Sequence, residues 1–185
     1  FGTIGEALAY VLDNPPLSSS ESRLIRVAPG QTYAERIDIA NWNFGELRII
    51  SDGEGRATLK PTGPEPVVQV VNSSRVRLEG FHVVATDKAI AIRLAGILDR
   101  VQLDQLEISG FKETGILGDE VRGLSNARLE VRNCRINAPR ENATGVRFVT
   151  PVSTGFGASG VEQITFSGLR LIGPMEAGLL LSGDL

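Results

Sequence analysis

Four segments of the chain share one arrangement of apolar positions: Leu78-x-x-Phe81-x-Val83, Leu103-x-x-Leu106-x-Ile108, Val131-x-x-Cys134-x-Ile136 and Phe166-x-x-Leu169-x-Leu171. Their first residues lie 25, 28 and 35 positions apart. The apolar runs are short and follow no helical period. A repeat of this size, built from such runs, predicts a solenoid of β-strands in which each unit buries its apolar side against its neighbours.

From residue 67 onward each unit divides into three strands. The first series is Val67–Val71, Ala89–Leu94, Gly115–Leu117, Gly145–Val149 and Gly178–Leu181. The second is Val76–Leu78, Val101–Leu103, Ala127–Val131 and Gln163–Phe166. The third is Phe81–Val83, Leu106–Ile108, Cys134–Ile136 and Leu169–Leu171. A two-residue bend joins second to third: Glu79-Gly80, Asp104-Gln105, Arg132-Asn133 and Ser167-Gly168. Glycine and asparagine at the second position tolerate left-handed backbone, whereas Gln105 departs from that preference. A recurrent sharp bend between two strands, followed by looser turns, describes a three-sided coil. Before residue 67 the strands are Leu24–Val27, Ile37–Ile39, Leu47–Ile50 and Ala57–Leu59, with Ala28–Tyr33 and Ser51–Gly55 as turns. At the start, Thr3-Ile-Gly-Glu6 has the form of a capping box ahead of an amphipathic helix. Ile4, Ala7, Leu8, Val11 and Leu12 fall on one face, and Asn14-Pro-Pro ends the helix.

These elements resemble the right-handed parallel β-helix of the pectin-lyase-like superfamily. The resemblance rests on Thr3-Ile-Gly-Glu-Ala-Leu8, Ile25-Arg-Val-Ala-Pro-Gly30 and Tyr33-Ala-Glu35, and on the bends at Gly80 and Asn133. It implies an all-β fold: a right-handed single-stranded parallel β-helix with an N-terminal capping α-helix. Residues 1–185 then form a single domain, with the capping helix in 1–14 and the coils in 24–181. The chain begins at Phe1 without Met and is expected to be a fragment of a longer protein. The C-terminal edge after Gly178–Leu181 is expected to be open, or covered by another chain through self-association.

Composition narrows the function classes. Aromatic residues are 5% of the chain, too few for stacked nucleic-acid platforms, and the net charge of −3 comes from interleaved acids and bases. No nucleic acid is expected as a partner. No apolar run approaches the roughly 18–20 residues that span a membrane. Cys134 is the single cysteine, so no internal disulfide forms, which points mildly to a reducing, cytoplasmic setting. It occupies an apolar repeat position and is expected to be a buried, inert thiol.

In enzymes of the resembled fold, the chemistry sits on the outer face of the first strand series. Alternation turns Ile90, Ile92 and Leu94 inward and leaves Gln69, Ala91, Arg93, Arg147 and Leu180 outward. That row contains no carboxylate, although a glycosidase needs two and a calcium-assisted lyase needs clustered acids with a base. No catalytic residue, metal site or cofactor is therefore assigned. His82, the single histidine, stands outward on the third series, level with Glu107, Arg135 and Arg170. It reads as part of an exposed side-chain ladder in preference to a catalytic pair.

Two insertions, Gly118–Asn126 and Thr150–Glu162, fall between first and second strands on adjacent coils and are expected to protrude beside Arg93 and Arg147. Asp119, Glu120, Thr154 and Phe156 would wall a binding cleft there. The expected function is a non-catalytic binding or scaffold module of a larger bacterial protein, with a carbohydrate, an acidic ligand or a protein as partner. Alternatives are a polysaccharide lyase or glycoside hydrolase domain, suggested by the resemblance alone, and a structural stalk or surface-fibre unit.

Overall fold

The structure, a computed structural model, describes residues 1–122, 128–149 and 163–182. One helix, α1 (Ile4–Asp13), precedes eighteen strands that wind into three parallel six-stranded sheets. Sheet A stacks β1 (Ser22–Arg26), β4 (Glu46–Ile50), β7 (Val76–Glu79), β10 (Val101–Asp104), β13 (Arg128–Arg132) and β16 (Gln163–Ser167). Sheet B stacks β2 (Thr32–Tyr33), β5 (Ala57–Leu59), β8 (Phe81–Val84), β11 (Glu107–Ser109), β14 (Arg135–Asn137) and β17 (Arg170–Ile172). Sheet C stacks β3 (Ile37–Ala40), β6 (Val68–Val71), β9 (Ile90–Ile97), β12 (Thr114–Arg122), β15 (Thr144–Val149) and β18 (Ala177–Ser182). Every strand neighbours the strand three elements away, which is the topology of a parallel β-helix of six coils.

The repeat positions build the core. Ile25, Ile49, Leu78, Leu103, Val131 and Phe166 lie in register as one interior column of sheet A. Phe81, Leu106 and Cys134 line the adjoining corner, each with at most 1% of its surface exposed. Apolar burial of this kind, about 25 cal/mol per Å² removed from water, holds the coils together.

The four expected two-residue bends between sheets A and B are all left-handed, with φ of 79° at Gly80, 53° at Gln105, 51° at Asn133 and 61° at Gly168. Gln105 thus adopts the conformation of its neighbours despite its side chain. Its N–H donates to the Arg132 carbonyl at 3.0 Å, continuing a ladder in which Gly80 donates to Asp104 and Asn133 to Ser167. At this corner the ladder outweighs the local preference of glutamine. Asp104, one residue earlier, is buried and accepts from Arg77, Gln102 and Asn133.

The Thr3 capping box forms, and Ile4, Ala7, Leu8 and Val11 are buried. Leu12, expected on the same face, is 39% exposed because it lies in the last turn, at the rim of the coil. Thr32–Tyr33, expected within a turn, pairs with Thr58 and Leu59 as the first strand of sheet B. Among the described residues no helix is long and apolar enough to cross a membrane. At the other end, β18 is the edge of sheet C, and Leu179, Leu180 and Leu181 on it are exposed.

Candidate functional site

The outer face of sheet C carries one residue per coil in strict register: Asp38, Gln69, Arg93, Leu117, Arg147 and Leu180. Alternation along β9 is what turns Arg93 out between the buried Ile92 and Leu94. Ala91, expected beside Arg93 on this face, is fully buried. It lies near the start of the strand, at a corner where Ala91 and Ile92 both face inward, as Val67 and Val68 do one coil earlier. The positions above it are Gly115 and Gly145, where an added Cβ would come within 2.9 Å of Ile136 and Leu171 respectively. Only small residues let sheets B and C meet this closely.

Asp38 was not part of the expected row, which counted only coils after residue 67. β3 pairs with β6 and brings it in, so the face does hold carboxylates. A polar chain then runs along the row. The Asp38 carboxylate is ion-paired with Arg36 and accepts from Gln69 Nε2 at 3.4 Å. Gln69 Oε1 accepts from Arg93 Nη1 at 3.5 Å. Arg93 donates through Nη2 and Nε to Asp119 Oδ2, at 2.6 and 3.2 Å.

The expected insertion at Gly118–Asn126 is different in its first part. Gly118–Arg122 continues β12, because β9 itself extends to Ile97 and offers a partner. Asp119 pairs with Ala95 on one side and Val149 on the other, which sets it two residues along from the Arg93 row, on the same outer face. The register then shifts between Asp119 and Arg122, and Glu120 takes a φ of 49° on the bulge with its side chain exposed. Such irregularities re-aim side chains at strand ends. Residues 123–127 and 150–162, with Thr154 and Phe156, lie outside the described residues, and the expected far wall of the cleft with them.

Arg147 is exposed, and its side chain makes no ion pair or hydrogen bond among the described residues. It stands two strand spacings from Arg93, roughly 10 Å along the row, with Leu117 between. The structure therefore brings Arg93 and Asp119 together, leaves the Arg147 side chain exposed and unpaired among the described residues, and places Glu120 to one side.

His82 stands in an outer column with Thr58, Glu107, Arg135 and Arg170. It does not pair with Glu107: its Nε2 is 3.2 Å from Ser109 Oγ, while Glu107 accepts from Arg56 and Asn137. No cluster of three or more His, Cys, Asp or Glu able to hold a metal ion occurs among the described residues.

Two titratable groups are displaced from their ordinary values. Burial pushes the Cys134 thiol up to about 11. Burial also lowers the Lys88 ammonium, helped by the nearby Arg36 charge and opposed by Glu65. Lys88 is 1% exposed and donates to the carbonyls of Gly63 and Thr62. It fastens the 60–66 turn to the next coil.

No protein-family model matches the chain, and no curated protein matches it in sequence. Among solved structures it is similar to the pectin methylesterase of Aspergillus niger in deglycosylated form, at 16% identity and a TM-score of 0.49, over 100% of this chain and 82% of that one. A likeness at this level carries no argument about chemistry.

Proposed function

We propose that the chain is a non-catalytic binding module of a larger bacterial protein. Its sheet C face, centred on Arg147, takes a carboxylate-bearing ligand such as an anionic sugar or an acidic peptide. The observation that carries this reading is the distribution of charge on the face. Both carboxylates, Asp38 and Asp119, are already bound to Arg36 and Arg93, whereas Arg147 is exposed without a counter-charge among the described residues. A guanidinium presents a planar fork that matches a carboxylate bidentately. The Arg93–Asp119 pair then acts as a positioning wall: with Arg93 occupied, Arg147 is the group available to a ligand.

Two carboxylates on one outer face also raise the reading of an acid–base hydrolase. Their separation opposes it. Asp38 and Asp119 stand three strand spacings apart, roughly 14 Å in the backbone, whereas glycosidase pairs need about 5–9.5 Å. Both also accept from arginines, which leaves no carboxylate in this row placed as a free proton donor.

A panel of neutral and acidic oligosaccharides and acidic peptides tests the proposal. Binding without turnover is expected, weakened in Arg147→Ala by about tenfold or more, the effect of losing a hydrogen bond to a charged group. Measurable cleavage, or affinity unchanged in Arg147→Ala, would overturn it.

A further inference from the structure

The register that stacks Leu78, Leu103 and Val131 inside sheet A also stacks three arginines outside it. Arg75, Arg100 and Arg128 each lie three residues before those core positions. The pairs Ser74↔Asp99, Gln102↔Arg77 and Val101↔Leu129 place them on successive coils. Their backbones are thus one strand spacing apart, roughly 4.8 Å. With Arg77 they line a groove of about 860 Å³ whose acids are Glu46 and Glu130.

This arrangement works against the fold on its own. Like charges directly opposite on neighbouring strands repel. Arg75 and Arg100 hold φ of 56° and 52°, a conformation that glycine or asparagine adopts with less strain. The Nε of Arg77 is buried without a hydrogen-bond partner. Nearby acids offset the charge incompletely. Arg77 binds Glu79 and Asp104, and Arg100 reaches Asp99 at 3.6 Å. Arg75 donates to the Ser19 carbonyl. Glu130 is held by Arg132 at 2.7 Å, and the Arg128 side chain makes no ion pair or hydrogen bond among the described residues.

We propose that Arg75, Arg100 and Arg128 bind a tetrahedral oxyanion, a sulfate or phosphate group, with two neighbouring rungs converging on one group. A carboxylate offers two coplanar oxygens and satisfies one guanidinium fork. A tetrahedral group directs three or four oxygens out of one plane and can accept from two forks on separate strands. The repeat of the ladder lets a second group bind one rung further along, so an ester-bearing chain lies along the coil axis. This site is on sheet A and does not rest on the reading of sheet C.

Calorimetric titration at fixed ionic strength tests it, with inorganic sulfate, inorganic phosphate and dextran sulfate as probes and polyglutamate as the carboxylate comparison. Sulfate and phosphate groups should bind, and Arg100→Gln or Arg128→Gln should weaken them about tenfold or more. All titrations are made in the Arg147→Ala background, so that the exposed guanidinium of sheet C contributes to none of them. Arg100→Asn should lose binding while raising the melting temperature, because it removes both a like charge and a strained side chain. That result separates loss of the site from loss of the fold. Tighter binding of dextran sulfate than of free sulfate, per sulfate group, assigns the site to polymer-borne esters; equal binding assigns it to the free ion. Absence of binding to every sulfate and phosphate probe would overturn the proposal. So would binding insensitive to the arginine variants, or equal binding of polyglutamate per charge.

Discussion

The Glu35 carboxylate reaches back from the turn after β2 to the first turn of α1, accepting the N–H of Gly5 at 2.9 Å and that of Ile4 at 3.3 Å. Together with the Thr3–Glu6 capping box it satisfies donors that a helix start leaves unpaired. A helix that closes a solenoid end is thereby fixed to the first coil by charge as well as by Ile4, Ala7, Leu8 and Val11. Glu35→Ala should cost about 1–2 kcal/mol, the combined scale of a lost cap and a lost anion at the positive end of the helix. Glu35→Gln should recover part of it through its carbonyl oxygen. Urea denaturation of the three proteins measures the difference, and equal midpoints would show that packing alone holds the helix.

Gly80 and Gln105 occupy equivalent bends, yet they should respond oppositely to substitution. A Cβ at Gly80 would lie 2.2 Å from the Ser51 carbonyl oxygen, so the coil below leaves no room for one. Gly80→Ala combines that clash with a φ of 79° and should destabilise by about 2 kcal/mol or more. Gln105 already holds a φ of 53° with its side chain exposed, so Gln105→Asn should be neutral or stabilising by up to about 1 kcal/mol. Thermal melts of both variants decide it, and a tolerated Gly80→Ala would contradict the close approach of the two coils.

How much could be read from the chain follows from which forces are periodic. Leu78, Leu103, Val131 and Phe166 repeat because an interior column must be apolar in every coil, and the three-sheet coil follows from them. The left-handed bend at Gln105 was less legible, since its cause is the hydrogen-bond ladder between coils and not its own side chain. Ala91 was misplaced because strict alternation fails at a corner, where two consecutive residues face inward. Gly118–Arg122 reads as an insertion because Gly118-Asp-Glu-Val-Arg122 shows no apolar alternation of its own; the long β9 draws it into the sheet. Asp38 precedes the regular repeats, and the pairing of β3 with β6 is what brings it into the outer row. The arginines at 75, 100 and 128 were within reach of the sequence, since each stands three residues before an aligned apolar position.

Cys134 and Lys88 should move alkaline stability in opposite directions. The thiol is 1% exposed, donates to the Arg132 carbonyl at 3.1 Å, and is pushed up by burial to about 11 from an ordinary 9.0. The unfolded chain loses this proton first. Its contribution is therefore complete below pH 9 and falls as pH rises towards 11, at up to about 1.4 kcal/mol per pH unit. For Lys88 the folded value lies below the ordinary 10.5, chiefly through burial. There the unfolded chain holds the proton more tightly, and stability rises with pH through the window that ends at 10.5. Urea unfolding from pH 7.5 to 10.5 separates the two. The stability of the parent chain minus that of Cys134→Ala should decrease above pH 9, on the order of 2 kcal/mol by pH 10.5. The same difference against Lys88→Met should increase towards pH 10.5. The comparison uses the pH slopes, because each substitution also shifts stability by a constant: a small cavity at Cys134, and carbonyls left without their donor at Lys88. Parallel curves for the parent chain and Cys134→Ala would show that the thiol meets water in the folded coil, and would remove it from the interior column it shares with Phe81 and Leu106.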